Sequence, residues 1–271
     1  MLADGGPAMS DSTPTLWHLP VSHYSEKARW ALDHKGVAHR RKAPLPGNHM
    51  VFALALTRGK HKTFPVLQLD GSTYGDSTAV IAALEQRYPE APLYPADPEL
   101  RRRALALEDF FDEELGPYAR HAVFYELIND PATFGEVAAR AVPGPLGRSE
   151  RLVGTYARIY TSLRFGANSS DGAAAARAKI LAAFDRLEAE LEANGGDFLV
   201  GEEFSVADLT AASLFYPVVG PEGGPVPHNQ PMPPAFDEFR EPLRQRPGYL
   251  WVEETYRRHR KPDRQPAAAA G

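Results

Sequence analysis

The sequence predicts a small α/β domain followed by an all-α domain. Three observations predict this. Short β-prone runs alternate with helical patterns up to about residue 88. A stiff stretch with Pro89, Pro92, Pro95 and Pro98 comes next. Beyond it only helical spacing is found. A length of 271 residues fits about two domains. The chain therefore divides into a polar, Gly/Pro-rich lead at 1–14, an α/β domain at 15–88, a linker at 89–98, a helical domain at 99–261 and a tail at 262–271. Lead and tail read as disordered.

Thr15 to Leu19 is the first strand, closed by Pro20. Ser22 stands at an N-cap position, and Tyr24, Ala28, Ala31 and Leu32 share one face of the helix that follows. Gly36 sits where a C′ glycine ends such a helix. Val37 to Ala43 gives a second strand, parallel to the first in a βαβ unit, and Pro44 to His49 a loop. Val66 to Leu69 and Ser72 to Tyr74 flank Asp70-Gly71, a hairpin signal. Gly75-Asp76-Ser77-Thr78 opens another helix with Val80, Ile81 and Leu84 as its apolar face.

After the linker, Asp97 is an N-cap and Pro98 an N1 residue. Leu100 to about Leu127 reads as one long helix, with Leu107, Phe110, Phe111 and Leu115 apolar; Tyr118 and Phe124 also read as helix core. Ile180, Phe184, Leu187 and Leu191 keep helical spacing until Asn194-Gly195-Gly196 stops it. Ser205-Val206-Ala207-Asp208 is a capping-box-like start. Pro217 to Pro234 reads as a long loop, and Leu243 and Tyr249 to Tyr256 as closing helices.

Composition excludes several classes. Net charge is −5 and pI about 6.0, so no nucleic-acid or acidic-membrane partner is expected. No apolar run approaches a membrane span, and the lead lacks the basic n-region of a signal peptide. With no cysteine, disulfides, thiolate metal sites and a cysteine nucleophile are impossible. The nine histidines show no ligand-like pairing, so no metal is expected. Gly75 to Ala79 falls one glycine short of a G-x-S-x-G elbow and lacks ordered Asp and His partners, so a hydrolase is not expected. A cytoplasmic protein is expected, and the excess of arginine over lysine with abundant alanine suggests a bacterial source.

The turn at Ser22 carries the chemistry. A helix start presents unpaired N–H groups and partial positive charge. That suits an anion, a thiolate included, and thiol pKa values fall at such a place. Ser22 either caps the helix or also meets a ligand; the residues alone leave both open.

Four stretches in order resemble the glutathione transferase superfamily over about Thr15 to Pro262. Ser22-x-x-Ser25-Glu26-Lys27-x-Arg29 is similar to the family's first strand-to-helix turn. Thr63-Phe64-Pro65-Val66-Leu67 is similar to its cis-proline segment. Gly75-Asp76-Ser77-Thr78-Ala79 is similar to its acidic-serine helix start, and Ser205 to Asp208 to the capping box of a core helix. The resemblance implies a thioredoxin-like N-terminal domain (β-α-β-β-β-α) before an all-helical C-terminal domain. It implies glutathione as co-substrate, a small apolar electrophile, a homodimer and a detoxifying transfer or a thiol-assisted isomerisation. Ser22 would stabilise the thiolate in serine-type chemistry, since the first strand holds Trp17 and His18 rather than the tyrosine of other members. Phe64 and Pro65 would meet the cysteinyl unit, and Asp76 and Ser77 the γ-glutamyl group. His49, Lys60 and Lys62 are candidates for the glycyl carboxylate. Two alternatives stand beside this: a non-catalytic binding or regulatory module with the same fold, or an enzyme using a different low-molecular-weight thiol.

Overall fold

A computed structural model describes residues 13–44, 48–140, 149–167, 169–228 and 230–260. The expected disordered lead and tail lie largely outside these residues. So do the Pro143-Gly144-Pro145 break and the middle of the loop after Pro44.

The first domain runs β1 (Thr15–Trp17), α1 (His23–His34), β2 (Arg40–Lys42), α2 (His49–Leu56), β3 (Val66–Leu69), β4 (Ser72–Gly75) and α3 (Ser77–Arg87). Its strands form one sheet in the order β2-β1-β3-β4. β1 is parallel to β2 and antiparallel to β3, and β3 is antiparallel to β4. The expected strand, turn and helix signals all appear, with one helix more. α2 is apolar nearly all round, so it has no polar face to produce a 3.6-residue rhythm. The second strand is shorter than 37–43, starting only at Arg40.

The second domain is wholly helical among the described residues: α4 (Pro98–Glu114), α5 (Gly116–Asn129), α6 (Pro131–Arg140), α7 (Glu150–Phe165), α8 (Ser170–Ala193), α9 (Val206–Val219), α10 (Pro234–Arg240), a short 3-10 turn (Glu241–Gln245) and α11 (Pro247–His259). The single helix expected over 100–127 is two. Pro117 has no N–H and its ring opposes the carbonyl four residues back, so the chain breaks at Leu115 and restarts. The loop expected from Pro217 begins later, at Gly220. Pro217 sits inside α9, where nearly every residue is buried, and packing overrides its cost.

One continuous core crosses both domains. It includes Leu16, Trp30 and Leu32 from the first and Phe111, Phe184 and Phe215 from the second. Each large apolar side chain so buried stabilises by about 1.5–3 kcal/mol. α1 lies between the sheet and the helical domain, and buries charge as well as oil. The Lys27 ammonium meets Glu108 at 2.8 Å and Asp112 at 2.5 Å and donates to Thr78 at 3.0 Å. Burial pulls the Lys27 pKa down, but the two carboxylates outweigh it and keep the group charged. Near the other end of the chain, Arg260 pairs with Glu26 at 2.6 Å and Asp33 at 2.8 Å. A smaller core of Ala53, Phe64 and Val66, with Trp17, Leu19 and Leu56 against it, ties α2 to the sheet.

Candidate active site

The strand register brings the expected site segments to one end of the sheet. Trp17, the last residue of β1, pairs with Val66, the first of β3. Val66 also pairs with Gly75, the last of β4. The chain leaving β1 toward Ser22, the chain entering β3 through Phe64 and Pro65, and the chain leaving β4 into Asp76 and Ser77 therefore meet at that end. The Asp76 N–H donates to the Pro65 carbonyl at 3.2 Å, which joins two of the three directly. The Phe64-Pro65 bond is cis.

Ser22 caps α1, as its sequence position requires. Its hydroxyl oxygen accepts from the Ser25 N–H at 3.3 Å, and its carbonyl accepts from the Glu26 N–H at 2.8 Å. The turn before it is braced from three directions. Arg29 donates to the carbonyls of Leu19 at 3.3 Å and Pro20 at 3.0 Å. The Ser25 hydroxyl accepts from the Leu19 N–H at 3.2 Å. From the helical domain, the Tyr216 hydroxyl donates to the Val21 carbonyl at 2.6 Å. A turn held by its own helix and by α9 has little freedom, which suits a group that must stay in place.

Asp76 caps α3, accepting from the Thr78 N–H at 2.9 Å. Its backbone lies at φ 81°, ψ 144°, a conformation that strains a non-glycine residue and clusters at functional sites. Asp76 is exposed, while Ser77 is buried. Of the three glycyl-carboxylate candidates, His49 is buried with its ring 6.0 Å from that of Phe64, whereas Lys60 and Lys62 are exposed.

The helical domain closes the other side. His23 meets the helical domain, its Nε2 at 2.9 Å from the Gly116 carbonyl. Tyr24 donates to the Asp112 carbonyl at 2.8 Å. A Cβ on residue 116 would lie 2.2 Å from the Tyr24 hydroxyl, so only glycine admits this approach. Burial first, and the nearby Arg120 guanidinium second, lower the His23 pKa to about 3 and keep it neutral. From α7, the Tyr160 ring meets His49 edge-on at 6.2 Å, and its hydroxyl is 4.0 Å from the Met50 sulfur. Sequence reasoning missed Tyr160, which meets His49 and Met50 only through the packing of α7 on α2.

Comparison with known families decides the grouping. Residues 16–92 match the glutathione S-transferase N-terminal domain, and residues 170–244 match the glutathione S-transferase C-terminal domain. The chain belongs to the glutathione transferase superfamily. Together the two matches span more than half of this glutathione transferase relative, and α6 and α7 lie outside both. It is similar to a probable maleylacetoacetate isomerase of Caenorhabditis elegans, 24% identical over 77% of this chain and 80% of that protein. Among solved structures it is similar in fold to a theta class glutathione S-transferase of Xanthomonas axonopodis pv. citri with glutathione bound, with TM-score 0.55, 21% identity, and coverage of 88% of this chain and 95% of that one. It is likewise similar to the beta-etherase LigF from a Sphingobium species, with TM-score 0.57, 20% identity and coverage of 90% and 100%.

Proposed function

We propose that this superfamily member is a glutathione-dependent enzyme of the serine type. The observation that carries the reading is the meeting of three segments at one sheet end: the braced Ser22 turn, the Phe64-Pro65 turn and the strained Asp76 cap. The γ-glutamyl carboxylate would sit on Ser77 and the N–H groups opening α3, and the α-ammonium beside Asp76. Phe64 lies past the last pair of the β1–β3 ladder, so its N–H and C=O would pair with the cysteinyl unit as an added strand.

The thiol would then lie beside Ser22. A free thiol titrates near pH 8.5, roughly, so at neutral pH little is thiolate. The Ser22 oxygen already accepts from Ser25, which leaves its own O–H free to donate to sulfur. Donation to the charged form and the helix dipole both lower the thiol pKa. The thiolate attacks an electrophilic carbon of a small apolar acceptor, forming an S–C bond as the leaving group departs with its electron pair. On a conjugated cis-alkene the same attack forms an S–C bond while the alkene's electron pair moves onto the conjugated carbonyl as an enolate; rotation about the new single bond and return of that pair, which expels the thiolate, give the trans-alkene. The likeness to a probable maleylacetoacetate isomerase favours this second course. A homodimer is proposed on family grounds.

Retention on immobilised glutathione, with turnover of an aryl halide and a cis-enone, tests the reading. Retention and turnover of either acceptor are expected. Retention with no turnover across the panel points to a binding module, and turnover only with another thiol removes glutathione from the proposal.

A further inference from the structure

Glu26 lies one turn into α1, and its N–H donates to the Ser22 carbonyl at 2.8 Å. The residue is buried, and each of its carboxylate oxygens is taken by a different arginine. Oε2 accepts from Arg29 Nε at 2.8 Å. Oε1 accepts from Arg260 Nε at 2.6 Å. Arg29 belongs to the same helix. Arg260 comes from the far end of the chain, 234 residues away, where it is the C-cap of α11.

Arg29 is the side chain that braces the turn before Ser22. Besides the carbonyls of Leu19 and Pro20, it donates to His18 Nδ1 at 2.7 Å. A guanidinium is a planar fork, so anchoring its Nε edge on Glu26 fixes where its other donors point. The contacts therefore run from Arg260 through Glu26 and Arg29 to Leu19 and Pro20, which lead into Ser22.

Arg260 is itself firmly seated. Glu26 and Asp33 lie about two turns apart on one face of α1, and Arg260 spans them, reaching Asp33 at 2.8 Å. Its guanidinium lies over the Trp30 ring, 5.8 Å from the centroid. The Trp30 indole N–H donates to the His259 carbonyl at 3.2 Å, and the His259 ring stacks on Phe204 at 4.5 Å. The end of α11 thus has one defined place against α1. A buried carboxylate that loses one of two cations must turn or draw the other toward it. The other cation here is Arg29, so the disturbance would land on the Ser22 turn.

We propose that Arg260 is a positioning residue for the Ser22 turn, setting through Glu26 and Arg29 where the Ser22 hydroxyl stands. This deepens the glutathione reading, on which its consequence for the thiol rests.

The test compares the wild type, Arg260→Gln, Arg260→Lys and Arg177→Gln. The last breaks the Arg177–Glu126 pair between α8 and α5, at 2.5 Å, and should leave the turn alone. Amide hydrogen exchange is followed in the free proteins over residues 19–26, with 66–75 as the internal reference. The thiol of bound glutathione is titrated by ultraviolet absorbance, and S-methylglutathione, which has no thiol, is titrated for affinity. Arg260→Gln should exchange about tenfold faster over 19–26 with the reference strands unchanged. Its bound thiol should titrate about half a unit higher, about threefold less thiolate at neutral pH. Its affinity for S-methylglutathione should stay within about twofold of the wild type, because the loosened hydroxyl acts on sulfur alone. Arg260→Lys keeps the charge without the fork and should fall between the two; it also carries the comparison if Arg260→Gln does not fold. Exchange over 19–26 no faster than in Arg177→Gln, or an unmoved thiol pKa, overturns the proposal. Faster exchange over 19–26 together with no glutathione binding by the wild type keeps Arg260 as the holder of the turn and removes the glutathione reading.

Discussion

Asp76 holds a backbone conformation that costs a non-glycine residue about 1–3 kcal/mol. Its carboxylate gains one cap bond in return, from the Thr78 N–H. A ligand ammonium would explain why aspartate rather than glycine stands there. Asp76→Gly should therefore melt no lower than the wild type, yet bind glutathione at least about tenfold more weakly, as loss of a charge-assisted contact implies. Unchanged affinity would remove Asp76 from the site. His23 sets a second expectation. Its pKa is about 3 in the folded protein against 6.5 for the free side chain, so the unfolded chain binds more protons between those values. The stabilisation is full above pH 6.5 and is lost as pH falls toward 3, by at most about 1.4 kcal/mol per pH unit. His23→Gln should flatten the urea-measured stability profile over that acidic window, and an unaltered slope would contradict the burial argument.

At the scale of elements, caps and turns were legible because their signals are local. Ser22, Asp76, Asp97 and Ser205 all cap the helices the sequence assigns them. Phe64-Pro65 and Asp76-Ser77 fall at one sheet end because the Asp70-Gly71 hairpin sets the register. α2 was not legible, since a helix without a polar face has no periodic signature. Tyr160 beside His49 was not legible either, because that contact depends on how α7 packs on α2, and spacing along either helix does not encode it. The capping box of α9 makes a direct prediction. The buried Asp208 carboxylate accepts from the N–H groups of Leu199 at 2.8 Å and Ser205 at 2.9 Å and from the Ser205 hydroxyl at 2.7 Å. Asp208→Ala leaves these buried donors unsatisfied and should cost about 2 kcal/mol or more. A urea midpoint within error of the wild type would show the box to be dispensable.

Over the whole molecule, the joint between domains is a shared core with a buried ion cluster inside it. Lys27 from α1 reaches Glu108 and Asp112 on α4, and Thr78 from α3 donates to Asp112 at 2.8 Å. Lys27→Met would strand the buried Glu108 and should cost about 3–5 kcal/mol. Because the core is continuous, both domains should unfold in one transition, and two separate transitions in the wild type would contradict that. The same joint sets the cleft, since α1 carries Ser22 on one side and packs on α9 on the other. The central claim is that Ser22 stabilises a bound thiolate there. It is tested most directly by an ultraviolet pH titration of the glutathione complex in the wild type and in Ser22→Ala. The account predicts that both bind glutathione and that the thiol pKa rises by about one unit or more in Ser22→Ala, with a rate loss near pH 7 of about tenfold. Equal thiol pKa values in the two complexes would contradict it and return Ser22 to a helix cap alone.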